Sequence, residues 1–501
     1  MASRPAPQPV YLFRPTHQEL IRNSNTAAGD DSHRAITHLE FISLPQQNHL
    51  ALLTTDNHGW AAVWNLDSKR IQSLWHPHPH TQAVGGCLWA CPLLTTQCQE
   101  DIIPQQPSLF VLSQGRDHRL VLSQLLNYAK TSSISTITRA NLKPTRNAPS
   151  ADVEIRAQTP INAINFCKAS LLALPAHHKT VHSIVALPSL ISEDFVDLFA
   201  IQICETPKLT KIYEGLGNYK GKRRDNNQTG SVVAVQLYSP PKASGLILLM
   251  IGYESGEVRL LKNERLVGRG STESRSVDGL SERLLGEGDW ESVGGFKGHT
   301  EPILSMAVSI DPLDRLAGIG WSVAADRKIV RYELTARPCD PAAHPQPKPA
   351  PDHGLYQTSM EPMVFETNQP GRFDVQVRSD GKVLGIYTWG GKLWLFDSTA
   401  LVAADQGEQA PTPADGASGR HPSAAARARQ FTLRPLVVLK LPTEPDHRTG
   451  VLAFAPYPPP LKAAFPNSNC RLDSLAGLAL LVASGAAGQV VAWEVFPPSH
   501  S

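Results

Sequence analysis

The sequence has almost no charge imbalance, few cysteines and no catalytic signature. Its 47 lysines and arginines stand against 45 aspartates and glutamates, a net charge of +2, so overall charge gives no argument for a nucleic-acid partner. Seven scattered cysteines are typical of reduced thiols rather than of a disulfide framework. The sequence contains no Gly-x-Ser-x-Gly elbow, Walker loop, His-Glu-x-x-His motif or Cys-x-x-Cys pair. These absences favour an intracellular protein that binds rather than catalyses, with no cofactor.

Membrane and export signals are also lacking. The one apolar run, LAGLALLVASGAAG at 475–488, is shorter than the roughly 20 residues that span a bilayer, and we predict two buried strands there. The opening MASRPAPQP places prolines where a secretory signal needs an unbroken apolar stretch. We therefore expect neither a membrane partner nor export through a cleaved signal.

A short hairpin pattern recurs along the chain, most plainly as LLTTDNHGWAAVWNL at 52–66. Alternating apolar residues flank a turn, the pattern of two antiparallel strands. Six copies align on one column: Trp64, Ser123, Leu261, Tyr332, Phe396 and Trp493. Five positions earlier stands the turn residue: Gly59, His118, Gly256, Arg327, Gly391 and Gly488. A fixed internal register of this kind predicts a repeat architecture.

The spacing of these copies divides the chain into seven units of about four strands. We place them at 36–70, 71–126, 160–210, 211–262, 290–335, 360–398 and 431–496. Long polar or Pro-rich loops interrupt them at 127–157, 263–289, 336–355 and 403–429. The third unit lacks the hairpin register. Together the units predict an all-β fold, a single seven-bladed WD40 β-propeller over residues 1–501.

The two ends of the chain complement each other. The last unit lacks an outer fourth strand, while PVYLFR at 9–14 is a strand with no sheet of its own. Four-stranded sheets cannot bury both of their faces alone and must pack on neighbours. We therefore predict that pairing between the N- and C-terminal strands closes the ring.

Two His–Asp pairs suggest chemistry but have a structural interpretation. His299 with Asp326, and His80 with Asp117, occupy the positions where a WD40 repeat pins a loop to its hairpin turn. The alternative is an acid/base pair. The register favours the structural role for both pairs, with Trp64, Tyr332, Phe396 and Trp493 as packing residues. His58 replaces the aspartate of the first hairpin, which predicts no such pairing with His17.

Two other clusters are weaker candidates. HPHPH at 76–80 with Cys87, Cys91 and Cys98 has the residue types of a zinc site. Four residues along a strand span roughly 13 Å, however, too far for Cys87 and Cys91 to share one ion, so we predict no metal site. The basic cluster Lys220, Lys222, Arg223 and Arg224 is a candidate nuclear import signal or anion-contacting loop, against a plain solvated loop.

Several segments resemble a known family. PVYLFRPTHQELI, LLTTDNHGWAAVWNLDSKR, QGRDHRLVLSQL, PINAINFC and ASGAAGQVVAWEV are similar to the fungal ASTRA-associated WD-repeat protein, whose relatives include the animal G-protein-β-subunit-like proteins. GRDH followed by PINAINFC is the most specific part. Asn65, His58 and Ser123 depart from the family pattern, and the long loops have no resemblance to it.

The resemblance implies a non-catalytic nuclear scaffold subunit of an ASTRA-like assembly. Its implied partners are telomere-maintenance adaptor proteins, the paired RuvB-like ATPases and a giant kinase-related pseudokinase. That assembly is linked to chromatin remodelling and to maturation of the PI3-kinase-related kinases. We expect a monomer within the hetero-complex, without direct nucleic-acid binding, in the nucleus, with the cytoplasm left open as a second location.

Two rival functions remain. One is a WD40 substrate receptor or signalling scaffold outside this complex. A substrate receptor of a cullin ubiquitin ligase would be expected to show Trp-Asp-x-Arg at a hairpin end, where this chain has Trp64-Asn65 and Trp493-Glu494. A propeller enzyme would need carboxylates or histidines converging on its inner strands. The predicted inner strands contain FIS, CLWA, INAINF and AVSI, which are mainly apolar.

Overall fold

The computed structural model of the protein describes the strands and the turns beside them. The described residues are 9–13, 35–44, 49–66, 70–79, 86–95, 108–126, 153–163, 165–174, 183–204, 206–217, 229–241, 243, 246–264, 290–310, 317–338, 356–368, 371–403, 431–441, 450–455, 480–485 and 490–495. Within these ranges the chain forms 28 strands and no helix. No segment there has the helical length and hydropathy needed to cross a membrane.

The strands form seven antiparallel sheets of four. The chain begins with β1 (Pro9–Phe13), which joins the last sheet. The first three sheets consist of β2 (Ile36–Leu44), β3 (His49–Asp56), β4 (Ala61–Asn65) and β5 (Arg70–Trp75); β6 (Cys87–Thr95), β7 (Ser108–Gly115), β8 (Arg119–Leu125) and β9 (Val153–Pro160); and β10 (Ser170–Ala173), β11 (Ser183–Pro188), β12 (Val196–Gln202) and β13 (Lys208–Leu216).

The remaining sheets follow the same order, each beginning at its inner strand. They consist of β14 (Val232–Tyr238), β15 (Ile247–Tyr253), β16 (Glu257–Asn263) and β17 (Glu291–Lys297); β18 (Ile303–Ile310), β19 (Ala317–Ala324), β20 (Lys328–Pro338) and β21 (Tyr356–Glu366); β22 (Arg372–Val377), β23 (Val383–Thr388), β24 (Lys392–Ala403) and β25 (Phe431–Lys440); and β26 (Gly450–Phe454), β27 (Leu480–Gly485) and β28 (Val490–Glu494), completed by β1.

The ring is closed by its two ends. β1 runs antiparallel to β28, with Pro9 opposite Trp493 and Phe13 opposite Val490. The inner strand β26 of the last sheet also contacts β2 of the first sheet. The predicted seven-bladed β-propeller, closed by N- and C-terminal strand pairing, is therefore confirmed.

The hydrophobic core is distributed around the ring rather than gathered in one place. Each of the seven apolar clusters of the described chain lies between two neighbouring sheets. Trp321, for example, is fully buried and packs among residues of the fifth and sixth sheets. Because every sheet depends on both neighbours for burial, an open ring would expose the two flanking faces of its gap.

Several predicted units and the observed sheets are out of step by one strand. The units that begin at residues 71, 211, 290, 360 and 431 each open with the outer strand of the preceding sheet, for example β5, which pairs with β4. The hairpin register locates only the second and third strands of a sheet. It does not indicate to which sheet the strand before the next unit belongs.

The second and third sheets differ most from expectation. The predicted loop 127–157 overlaps β9, the outer strand of the second sheet, whose mostly exposed residues do not give an apolar pattern. The described residues of INAINF, the predicted inner strand of the third unit, do not form a strand, and β10 is the inner strand instead. In the run 475–488, where two strands were predicted, the described residues 480–485 form strand β27, and the rest of the run lies outside the described residues. Residues 404–429 lie outside the described residues.

Candidate functional site

The hairpin turns and the histidine-containing segments identified in the sequence lie together at one end of the ring. In an antiparallel sheet, the turn between the second and third strands and the segment entering the inner strand lie at the same end. We call this end the upper face. Gly59 and Gly256 adopt φ values of +84° and +81° in two of these turns, a conformation that favours glycine. A Cβ atom there would lie 2.3 and 2.4 Å from the carbonyl oxygens of His78 and His299.

The fifth sheet has a closed network around His299. Its Nδ1 lies 3.0 Å from Asp326 Oδ1 and its Nε2 lies 2.8 Å from Ser322 Oγ, which lies 3.0 Å from the Tyr332 hydroxyl. The carboxylate can only accept, so Nδ1 donates, and in the neutral ring Nε2 then accepts from the Ser322 hydroxyl. Burial alone would raise the pKa of Asp326, but hydrogen bonds from His299 and the Lys328 amide outweigh it and lower that pKa below 3.8.

The second sheet has the same network with a different histidine from the one predicted. His78 Nδ1 lies 2.9 Å from Asp117 Oδ1, and its Nε2 lies 3.0 Å from Ser113 Oγ. The His78 amide also bonds to the Gly59 carbonyl, as that of His299 bonds to Gly256. The predicted partner, His80, is therefore wrong, and it lies outside the described residues. HPHPH offers three histidines, and spacing to the next strand selected the wrong one.

The first hairpin compensates for the absence of aspartate at position 58. Asp56, two positions earlier, accepts hydrogen bonds from the amides of His58 and Trp60 at 2.9 and 3.0 Å. The turn is thus pinned by a carboxylate within its own strand. His17, the predicted counterpart of this turn, lies outside the described residues.

The aligned column of the repeat is buried wherever the structure describes it. Trp64, Tyr332, Phe396 and Trp493 are each at most 8% exposed. Trp64 also donates from Nε1 to Thr54 Oγ1 at 2.9 Å, the position that serine occupies in the His299 network. This arrangement fits packing residues that tie the second strand of a sheet to the third.

The His–Asp pairs are poorly placed for acid/base catalysis. The His299 side chain is fully buried, and both of its ring nitrogens are engaged within the protein. His78 is equally buried and has partners on both nitrogens. A general base must reach a substrate proton, so this geometry favours a structural role for both pairs.

Polar side chains also gather near the axis of the ring, where the sequence suggested apolar strands. Asp374 of β22 accepts from Ser305 Oγ at 2.9 Å and from the Leu452 amide at 3.3 Å, and lies 3.9 Å from Lys168 Nζ. Ser305 and Leu452 belong to the fifth and seventh sheets, and Lys168 lies on the connection that leads into β10, the inner strand of the third sheet. Asp374 thus joins inner parts of four blades, and both of its oxygens are engaged.

The first sheet adds two titratable groups close to this axis. His38 Nε2 lies 3.8 Å from Glu40 Oε2. Burial, together with Lys168, lowers the pKa of His38 to about 3. Desolvation raises the pKa of the Glu40 carboxyl toward about 7, although the Glu40 side chain is 43% exposed. Between about pH 3 and 7 both groups are therefore uncharged, and their approach is not an ion pair in that range.

Glu40→Gln is expected to flatten the pH dependence of stability between pH 4.5 and about 7. The folded-state pKa of Glu40 lies above 4.5, so the folded state binds more protons in this window and wild-type stability falls as pH rises through it. The glutamine variant should lose this slope and melt higher than wild type above pH 7. Thermal melting from pH 5 to 8 checks this. An unchanged slope would show that Glu40 ionises normally.

The remaining candidates do not assemble into a site. Burial raises the pKa of the Cys87 and Cys91 thiols, opposite to what metal binding needs. Over the ranges that the structure describes, no three His, Cys, Asp or Glu residues stand close enough to hold a metal ion. Cys98 and the basic cluster Lys220, Lys222, Arg223 and Arg224 lie outside the described residues.

Seven four-stranded sheets in a closed ring, with Asp–His–Ser networks pinning the turns of two blades, define a WD40-type β-propeller. Proteins of this class mostly present a rigid ring for binding other proteins.

Among curated proteins, the sequence is similar to several fungal proteins named ASTRA-associated protein 1, which confirms the resemblance predicted above. That of Aspergillus niger is 24% identical over 390 residues, 74% of each chain. That of Verticillium alfalfae is 22% identical over 428 residues, 80% of this chain and 84% of the relative. The Schizosaccharomyces pombe protein is 24% identical over 367 residues, 70% and 82% of the two chains.

Family models and solved structures were also compared with the chain. No model of a protein family matches the sequence. Among solved structures, the β-propeller domain of Cps50 (Swd1) from Myceliophteria thermophila aligns with a TM-score of 0.45 at 13% identity, covering 92% of this chain and all of the other.

Proposed function

We propose that the protein is a non-catalytic WD40 scaffold subunit of an ASTRA-type nuclear assembly. The observation that carries this proposal is the similarity to ASTRA-associated protein 1 from several fungi, which extends over 70–80% of the chain in the three relatives described. The matched length covers most of the ring rather than one hairpin. A similarity of that extent is hard to attribute to WD-like hairpin ends, which recur in unrelated propellers.

The partners follow from that assignment. They are telomere-maintenance adaptor proteins, the paired RuvB-like ATPases and a kinase-related pseudokinase, and the assembly acts in chromatin remodelling and in maturation of PI3-kinase-related kinases. The propeller enters it as a single copy, without cofactor and without contacting nucleic acid directly. Its contribution is a fixed arrangement of loops that holds partners in position.

The ring has the rigidity that a scaffold needs. Buried networks pin the upper-face turns of the second and fifth sheets. Asp374 and Arg372 hold the inner strand of the sixth sheet to its neighbours, since the Arg372 guanidinium donates to the carbonyls of Asp326 and Lys328 at 3.2 and 3.0 Å. Binding to such a surface loses little conformational entropy.

Affinity purification tests the proposal. The tagged full-length protein is recovered from nuclear and cytoplasmic fractions of its own cells, with an equally expressed, tagged unrelated propeller as control. Quantitative mass spectrometry should show the RuvB-like ATPases and the kinase-related giant enriched at least tenfold over the control, chiefly in the nuclear fraction. Their absence refutes the proposal, and recovery of a cullin with its adaptor instead supports the ligase-receptor alternative.

A further inference from the structure

An aromatic side chain stands exposed on the upper face in a segment that the fold holds firmly. Phe166 is 72% exposed, the largest exposed fraction among the large apolar side chains that the structure describes. It lies on the connection between β9 and β10, next to the buried Cys167. An aromatic side chain that an ordered backbone holds exposed to solvent is typical of the residues that anchor protein–protein interfaces.

Three sheets fix this connection. Gln114 of the second sheet is fully buried, donates from Nε2 to the Cys167 carbonyl at 2.9 Å and accepts from the Ala169 amide at 2.8 Å. Asn162 donates at 2.8 Å to the Ser189 carbonyl, in the turn that follows β11 of the third sheet. Asn165 donates to the Val232 carbonyl of the fourth sheet at 3.4 Å. Hydrogen bonds to three neighbouring blades thus fix the backbone on both sides of Phe166.

The same hydrogen bonds tie this connection to a turn that carries a second exposed apolar pair. Leu190 and Ile191 follow Ser189 in the turn between β11 and β12 and are 46% and 67% exposed. That turn is tied to the fourth sheet, because the Val232 amide donates to the Glu193 carbonyl at 2.7 Å. The turn and the connection therefore share Val232 as a contact. We call Phe166, Leu190 and Ile191 the apolar patch.

Opposite charges border the two ends of the apolar patch. The guanidinium of Arg116 lies 4.3 Å from the centre of the Phe166 ring, a cation–π contact. At the other end, Glu193 Oε2 accepts from the Ser231 hydroxyl at 2.9 Å, and Glu254 Oε2 accepts from the Ser231 amide at 3.4 Å. Two exposed carboxylates therefore stand side by side beyond Ile191.

We propose that the apolar patch and its two charged ends form a docking surface for a segment of a partner protein. The segment has at least two apolar anchors, an acidic side chain at the Arg116 end and basic side chains at the Glu193 and Glu254 end. Charge complementarity along the patch sets its direction. The proposal rests on the scaffold function proposed above, to which it assigns a surface across the second, third and fourth sheets.

Photo-cross-linking identifies the occupant. The full-length protein is expressed in its own cells with p-benzoylphenylalanine at position 166, and in a matched control at position 126, because Leu126 is 46% exposed and follows β8 at the opposite end of the ring. The expected product is a cross-linked peptide, specific to position 166, with apolar residues between acidic and basic ones. No such product, a peptide without this pattern, or a second copy of this chain overturns the proposal.

The affinity of the protein for that peptide, made synthetically and labelled, measures how much each residue of the docking surface contributes to binding. We expect the double variant Phe166→Ala/Ile191→Asp to weaken its affinity at least tenfold, and Arg116→Glu and Glu193→Lys at least threefold each. Leu126→Asp should stay within twofold of wild type. All variants should melt within about 2 °C of wild type, because these side chains are exposed or partly exposed. Equal affinity of the double variant and wild type overturns the proposal.

The outcomes separate this proposal from the assignment to an ASTRA-type assembly. If the wild-type protein recovers the ATPases and the kinase-related pseudokinase but position 166 yields no cross-linked peptide, the proposed docking surface is wrong and the assignment to the assembly is supported. If affinity purification recovers neither the ATPases nor the kinase-related giant, but position 166 yields a peptide of the expected pattern that depends on Phe166 and Ile191, the surface stands and the assembly is wrong.

Discussion

Deletion of residues 1–14 is expected to lower the melting temperature of the whole protein by about 10 °C or more and to broaden the transition. β1 supplies the fourth strand of the seventh sheet through its ladder with β28. Without it β28 becomes an unpaired edge, and the join between the seventh and first sheets loses its support. Since each sheet is buried only by its neighbours, loss of one interface between sheets destabilises the adjacent sheets as well.

Two matched variants sharpen this test. Deletion of residues 1–8 removes the preceding segment but keeps β1, and should leave the melting temperature near that of wild type. Leu12→Pro keeps the length but removes one amide from the strand opposite Val491, and should cause a smaller fall in the same direction. Calorimetry and far-ultraviolet circular dichroism measure both. Cooperative melting of the 1–14 deletion at the wild-type temperature would disprove closure by β1.

The repeat was predictable because its determinants are local. Period-two alternation of apolar residues and a turn glycine specify a hairpin within about 15 residues. At Gly59, His118, Gly256 and Gly391 the turn residue indeed has a positive φ. His118 adopts this conformation without being glycine, at a cost of about 1 kcal/mol, and its Nδ1 accepts from the Ala163 amide at 3.3 Å.

What sequence could not predict depends on contacts between distant segments. His78 is selected by Asp117 and Ser113, residues more than 30 positions away. The polar group at the ring axis joins Ser305, Asp374 and Leu452 from three sheets with Lys168 from the connection that enters a fourth. No local pattern indicates which inner-strand residues meet there.

The candidate docking surface was missed for a related reason. Phe166 lies in INAINF, whose alternation suggested a buried inner strand. The two asparagines of that stretch instead bond to backbone carbonyls of the third and fourth sheets and hold the segment in a non-strand conformation. Asparagine is depleted in strands, so two of them within four residues were the available signal against a strand.

Asp326→Ala is expected to lower the free energy of unfolding by about 3 kcal/mol, the typical cost of removing one partner from a buried charge-assisted network. Asp326 accepts from the His299 ring and from the amides of Thr300 and Lys328 at 3.0, 3.0 and 2.9 Å. Alanine leaves these donors without their acceptor. Asp326→Asn should cost less, since one oxygen remains, although its amide group would face the Thr300 N–H. Urea or thermal unfolding of the purified variants measures both.

The equivalent residue of the second sheet provides the matched comparison. Asp117 accepts from His78, but its Oδ2 atom has no hydrogen-bond partner within the part of the chain that the structure describes. Asp117→Ala should therefore destabilise less than Asp326→Ala. Because the folded pKa of Asp326 is below 3.8, its stabilisation is complete above that pH and is lost as pH falls toward the folded pKa. Wild type and Asp326→Ala should thus converge in acid, and a constant difference down to pH 2 would contradict the role given to the carboxylate.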